Sequence, residues 1–147
     1  MSAFNPETFM NSTTNDANST QYEQVPEGEY PGTIGAVTPR TTQTGKALLS
    51  VKWVVNDEGV RQQLGMAEPS VFQTVWLDVT EQGGLDGGKG KNVQLGKLRD
   101  ALGQNAAGKP WSPGMLIGGA AKIRVKHSID KRDNVTLNAE VSAVTKL

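Results

Sequence analysis

One stretch of the chain has the spacing of a phosphate-binding loop. Gly83-Gly84-Leu85-Asp86-Gly87-Gly88-Lys89-Gly90 matches G-x-x-x-x-G-K, follows a predicted strand and precedes a predicted helix. Phosphate hydrolysis at such a loop needs Ser or Thr after the lysine to hold magnesium, and here that residue is Gly90. It also needs a parallel sheet with a strand-borne acid, which a short chain of antiparallel pattern does not supply. The segment is therefore read as a lysine-bearing loop, in which Lys89 and Lys91 can touch a phosphate backbone as point charges.

Other catalytic chemistry finds no support. The sequence has no cysteine and one histidine, which excludes disulfides, thiol nucleophiles and Cys/His zinc sites. Its acids are scattered over turns, as in Asp57-Glu58 and Asp130 with Asp133, where turn formation and solubility account for them. His127 ends an inward-facing row and reads as a partly buried structural residue. Neither enzyme activity nor a cofactor or metal is expected.

A distributed pattern is more informative. Lys122, Arg124 and Lys126 recur at period two, which on a strand places three positive charges about 7 Å apart along one face. Phe72 and Trp76 alternate with Val71, Val75 and Leu77, so they stand on the face opposite the core, either open to a ligand or covered by the helix, the arm or the Trp111 loop. Cations along a groove with aromatic faces for base stacking are what sequence-tolerant binding of single strands requires. Arg40, Lys46 and Lys52 are the next candidate cations, whereas Trp53 shares a face with Leu49, Val51 and Val55 and reads as core.

The elements that must position these residues follow from alternation and turn signals. The 147 residues carry seventeen Gly and seven Pro against eight aromatics, a balance that favours short strands and turns over a helical bundle. Strands are predicted over Glu29–Thr38, ended by Pro39, then over Ala47–Asn56 and Ser70–Thr80, with Val79 inward and Asp78 outward. Val93, Leu95, Leu98, Ala101 and Leu102 recur at helical spacing before Gly103. Ala120–Ser128 and a run inward at Val135, Leu137, Ala139, Val141 and Ala143 complete five strands, joined by the charged turn Asp130–Asn134. Three strands, a helix and two strands is the element order of the OB-fold, a five-stranded Greek-key barrel. The predicted fold is thus mainly β, one short helix between strands three and four.

Residues 1–24 are predicted to form a disordered polar arm and residues 25–147 the nucleic-acid-binding domain. The formal charge of zero hides a division: residues 1–30 hold five acids and no bases, and the remainder holds fifteen bases and ten acids. Asn5-Pro6-Glu7 is a helix-start signal flanked by Phe4, Phe9 and Met10, so the arm reads as a sticky acidic peptide. It is expected to compete with a bound strand for the basic groove or to recruit replication or recombination proteins. No basic region leads into an apolar run and no long apolar stretch occurs, so the expectation is a cytoplasmic protein without membrane contact, which the resemblance below would place in a bacterial host.

The run Val25-Pro26-Glu27-Gly28-Glu29-Tyr30, the Gly-rich loop, the helix Lys97-Leu98-Arg99-Asp100-Ala101-Leu102-Gly103, and Gly118 to Val125 before a charged turn resemble the small single-stranded-DNA-binding proteins of tailed bacteriophages. The Asn/Thr-rich leader is similar too, and the resemblance spans about residues 25–147. It implies an OB-fold that coats single-stranded DNA during phage DNA replication or recombination; the leading expectation is binding without strong sequence preference, as a homo-oligomer, either a dimer or a cooperative array. The chain departs from bacterial relatives in carrying its acidic arm at the N-terminus and ending Val144-Thr145-Lys146-Leu147, which puts recruitment through a terminal acidic peptide in doubt. The competing reading is a structural or accessory virion protein, a β-barrel module anchored by its arm.

Overall fold

A computed structural model of the chain describes residues 3–20 and 22–147. Its elements are α1 (Pro6–Phe9), β1 (Gly28–Thr41), β2 (Ala47–Val55), α2 (Glu58–Leu64), β3 (Ser70–Trp76), α3 (Val93–Ala101), a 3₁₀ turn (Pro113–Leu116), β4 (Ala120–Ile129) and β5 (Leu137–Thr145). The strands close into a barrel in the order β1-β2-β3-β5-β4, with every pairing antiparallel except β3 with β5. This order, with a helix between β3 and β4, is that of an OB-like barrel.

Alternation builds the interior. Leu49, Val51, Trp53 and Val55 of β2, Val71 and Val75 of β3, and Ala121, Ile123 and Val125 of β4 are all buried. Leu95 and Leu98 of α3 and Leu116 of the 3₁₀ turn pack against them. Trp53 is the largest side chain inside. Its indole Nε1 donates to Oε1 of the buried Gln73 at 2.9 Å, so a polar residue at an inward position of β3 pairs a donor that the core shields from water. Gly32 lets β1 cross this ring, for a Cβ there would stand 3.1 Å from both Trp53 and Ile123.

Several features differ from the sequence expectation. β1 continues through Pro39 to Thr41, because beyond Thr33 its only strand partner is β2 and a proline's missing donor is tolerated at such an edge. A bulge between Ile34 and Ala36, at Gly35, turns β1 from β4 toward β2. In β5 a second irregularity pairs Arg124 with Ala143 but Val125 with Val141, so the inward phase passes from Val141 to Val144 and Ala143 faces out. The segment read as a turn after Asn56 contains α2, capped by the Asp57 carboxylate on Val60 N and closed by Gly65 at φ 62°.

Val25 is buried, and its carbonyl accepts from His127 Nε2 at 2.6 Å, so His127 pins the start of the barrel. Residues 3–20 are exposed throughout and include α1, where the Asn5 side chain accepts from Glu7 N and Thr8 N. No helix of the described residues is long and apolar enough to cross a membrane.

Candidate nucleic-acid interface

Register places the outward residues of β1, β2 and β3 in three lateral rows. Arg40, Leu48 and Trp76 form the first, Thr38, Ser50 and Thr74 the second, and Ala36, Lys52 and Phe72 the third. The third row runs on through Glu140 of β5 to Lys126 of β4. Neighbouring members of a row lie about 5 Å apart and successive rows about 7 Å apart. Phe72 is 51% and Trp76 49% exposed, so neither ring is covered by helix, arm or the Trp111 loop.

Trp111 is engaged elsewhere. The Arg99 guanidinium lies 4.1 Å from its ring centroid, and its indole Nε1 donates to Gln104 Oε1 at 2.9 Å. Arg99 also donates to the Gln104 carbonyl, which ties the loop to the end of α3.

Two polar clasps hold the Trp76 end of the face, and neither is visible in residue type alone. Gln94 of α3 accepts from Trp76 N at 3.1 Å and donates to Thr74 O at 2.8 Å. Its carboxamide thus takes the place of a ladder partner where β3 runs past β5, whose one paired position with β3 is Phe72 opposite Glu140. Just beyond, Asn92 accepts from Asp78 N and donates to the carbonyls of Asp78 and Asp86, while its own N–H bonds the Asp78 carboxylate. Asp78 is therefore a loop anchor rather than an outward strand residue, and Val79, expected inside, is exposed and bridges to Leu85. The Gly-rich segment is an internally bonded hairpin, with Lys91 next to the Asn92 clasp and Lys89 two residues before Lys91.

The expected cations divide into groups. Arg40 and Lys52 share the face of Phe72 and Trp76, and Lys126 closes the Phe72 row across Glu140. Lys46 sits in the β1–β2 turn at the Trp76 end, bonded through its backbone to Thr42. Lys122 and Arg124 face out on β4 as expected, yet both engage Glu29 of β1, at 3.2 Å and 3.1 Å. The Lys122 and Arg124 hydrogen bonds hold the Glu29 carboxyl below its ordinary value. Among the described residues Lys126 makes no ion pair within 4 Å, although Glu27 accepts from His127 N beside it. That backbone hydrogen bond, more than the nearby Lys126 charge, lowers the Glu27 carboxyl.

The β4–β5 turn stands at the Phe72 end of the face and the β1–β2 turn at the Trp76 end, because β5 starts alongside the start of β3. In the β4–β5 turn Arg132 grips both carboxylate oxygens of Asp130, and Asp133 accepts from Val135 N and Thr136 N. Lys131 at its tip is exposed. No group of three or more acidic or histidine side chains positioned for a metal occurs among the described residues. The chain matches no protein-family model and no curated protein.

Proposed function

We propose that the chain binds single-stranded DNA through the outer face of β2 and β3, without base readout. The observation that carries the reading is the row holding Lys52 beside Phe72, with the Trp76 row about 14 Å further along the same face. Two half-exposed rings at that separation offer stacking platforms, and Lys52, Arg40 and Lys126 offer charge to the backbone passing between them. Besides its charged residues, the side chains of this face that can hydrogen-bond to a base edge are the short hydroxyls of Ser50, Thr38 and Thr74. The β1–β2 and β4–β5 turns flank it, as in OB-folds that bind oligonucleotides. The closed barrel and the sequence resemblance to phage single-strand coating proteins support a role in phage DNA replication or recombination.

The test is a titration of mixed-sequence oligonucleotides, single-stranded and duplex, at two salt concentrations. Single strands are expected to bind more tightly, with a log–log salt slope of about −3 to −4 if roughly four to six phosphates are neutralised. Equal affinity for duplex, or no binding near 50 mM salt, would move the chain to the competing reading, a virion structural module.

A further inference from the structure

A groove of about 510 Å³ lies between the Gly-rich hairpin and the outer side of α3, lined by Asp86, Gly87 and Lys91 from the hairpin and by Val93, Gly96 and Lys97 from the helix. Its residues Asn92 and Val93 directly precede Gln94, whose carboxamide bonds Trp76 N and Thr74 O, so groove and binding face meet at that clasp. We infer that a bound single strand runs on past Trp76 into this groove, with a base seated over Gly96 and phosphates on Lys91 and Lys97. The inference rests on the proposed binding of single strands by β2 and β3.

Gly96 carries the argument. Val93, Gly96, Lys97 and Asp100 recur at helical spacing on the side of α3 away from the buried Leu95 and Leu98. After proline, glycine is the poorest helix former, and its use is to let the backbone bend or be closely approached. Gly96 serves no bend, because its backbone is ordinary helix, and a Cβ there would meet nothing within 4 Å. Nothing among the described residues uses that space, which opens into the groove.

The lining selects the occupant. Lys91 and Lys97 are exposed and make no ion pair within 4 Å among the described residues. Of the acids in the groove, Asp86 already accepts from Gly88 N, and Asp100 lies one turn beyond Gly96. Val93 is 54% exposed one turn before Gly96, so it offers an apolar edge to a ring lying on the bare backbone. Unpaired cations beside such a seat suit a nucleotide within a strand. The chain's own arm suits it poorly, because Phe4, Phe9 and Met10 would cover Asn92, Asn105 and the lysines without hydrogen-bonding them, and Glu7 is the one anion of that turn.

Thymidylate strands of about four and about twelve nucleotides, near the ends of the range that one OB-fold covers, separate face from groove. Against the full chain, Gly96→Leu and Lys97→Ala are each expected to weaken the longer strand about fivefold and leave the shorter within about twofold. Gly96→Leu should also raise the urea midpoint, since it adds a good helix former where there is room. Asn105→Cys, in a chain with no other cysteine, reports the groove directly: alkylation should be rapid in the free protein and slowed by the longer strand only. Unchanged affinity for the longer strand in both variants, or equal losses with both strands, overturns the proposal and leaves the β2–β3 face in place. Slow alkylation without DNA also overturns it, by putting a segment of the chain itself in the groove. Protection by free thymidine monophosphate at the same nucleotide concentration would overturn it too, as a mononucleotide pocket. Failure of the wild-type chain to bind either strand removes the face and the groove together.

Discussion

Phe72 and Lys52 face one another across the β2–β3 ladder on the outside of the barrel, an aromatic ring and a cation on adjacent strands with the core directly behind them. A base stacked on Phe72 therefore brings its phosphate within reach of the Lys52 ammonium. Trp76 repeats the arrangement two rows on, with Arg40 across Leu48.

Trp76→Ala is expected to weaken single-strand binding by about 1–3 kcal/mol, and Phe72→Ala by a similar amount. Both side chains lie outside the core, so the variants should unfold close to wild type. Trp53 is enclosed and Trp111 is held by Arg99 and Gln104, which leaves Trp76 as the reporter of occupancy. Binding should quench its fluorescence, and the quench should disappear in Trp76→Ala. A folded Trp76→Ala protein with wild-type affinity would remove this face from the interface.

The Trp53–Gln73 bond makes a stability prediction independent of DNA. Gln73→Leu fills the same inward position without an acceptor and leaves the indole N–H buried and unpaired, at a cost of about 1–3 kcal/mol. Urea unfolding followed by circular dichroism measures it. A Gln73→Leu protein as stable as wild type would mean that the indole finds another partner once Gln73 is gone.

The barrel was legible because its strands alternate cleanly: Leu49 to Val55, Val71 to Val75 and Ala121 to Val125 each bury every second residue. Phase was lost where backbone irregularities intervene. The slip in β5 exchanges Ala143 for Val144, and no residue type announces it. Pro39 misled in the other direction, because its cost depends on whether a neighbour needs its N–H, a property of the assembled sheet. Within the site, Phe72, Trp76 and Lys52 were readable from parity, whereas Arg40 lay beyond the expected end of the first strand. Gln94, Asn92 and Glu29 were not, since each acts through a partner on another element that only the closed barrel brings near.

Acid should loosen the barrel seam between β1 and β4. Glu29 is held below its ordinary value by Lys122 and Arg124, and Glu27 by the His127 N–H, so in the folded chain both stay ionised where the unfolded chain already takes up protons. A lowered folded value means that this contribution to stability is complete above the unfolded value, about 4.3 for Glu, and fades as pH falls through the folded value. Urea midpoints measured from pH 6 to pH 3 should therefore fall, and Glu29→Gln should flatten part of that fall. An unchanged acid limb in Glu29→Gln would show that the ion pairs contribute nothing to it, the usual result for exposed pairs in isolation.

On the proposed reading, Glu29 also sets which cations are available to a DNA strand. In the unbound chain it occupies Lys122 and Arg124, whereas Lys52 has Phe72 as its cross-strand neighbour and Lys126 lies in the same row beyond Glu140. A phosphate that takes either Lys122 or Arg124 must compete with a carboxylate already in contact, and part of the counterion release that drives binding is forfeited. Lys52→Ala and Lys126→Ala should each reduce the magnitude of the single-strand salt slope by about 0.7, and Lys122→Ala by visibly less. Glu29→Gln keeps the shape of the side chain, frees both cations and should raise affinity at low salt, with the gain shrinking as salt rises. All four variants should affect every sequence alike, because contacts to phosphate carry no base information. Equal losses for Lys122→Ala and Lys126→Ala, with Glu29→Gln neutral, would mean that Glu29 yields its partners to DNA at no cost and that the whole β4 stripe belongs to the groove.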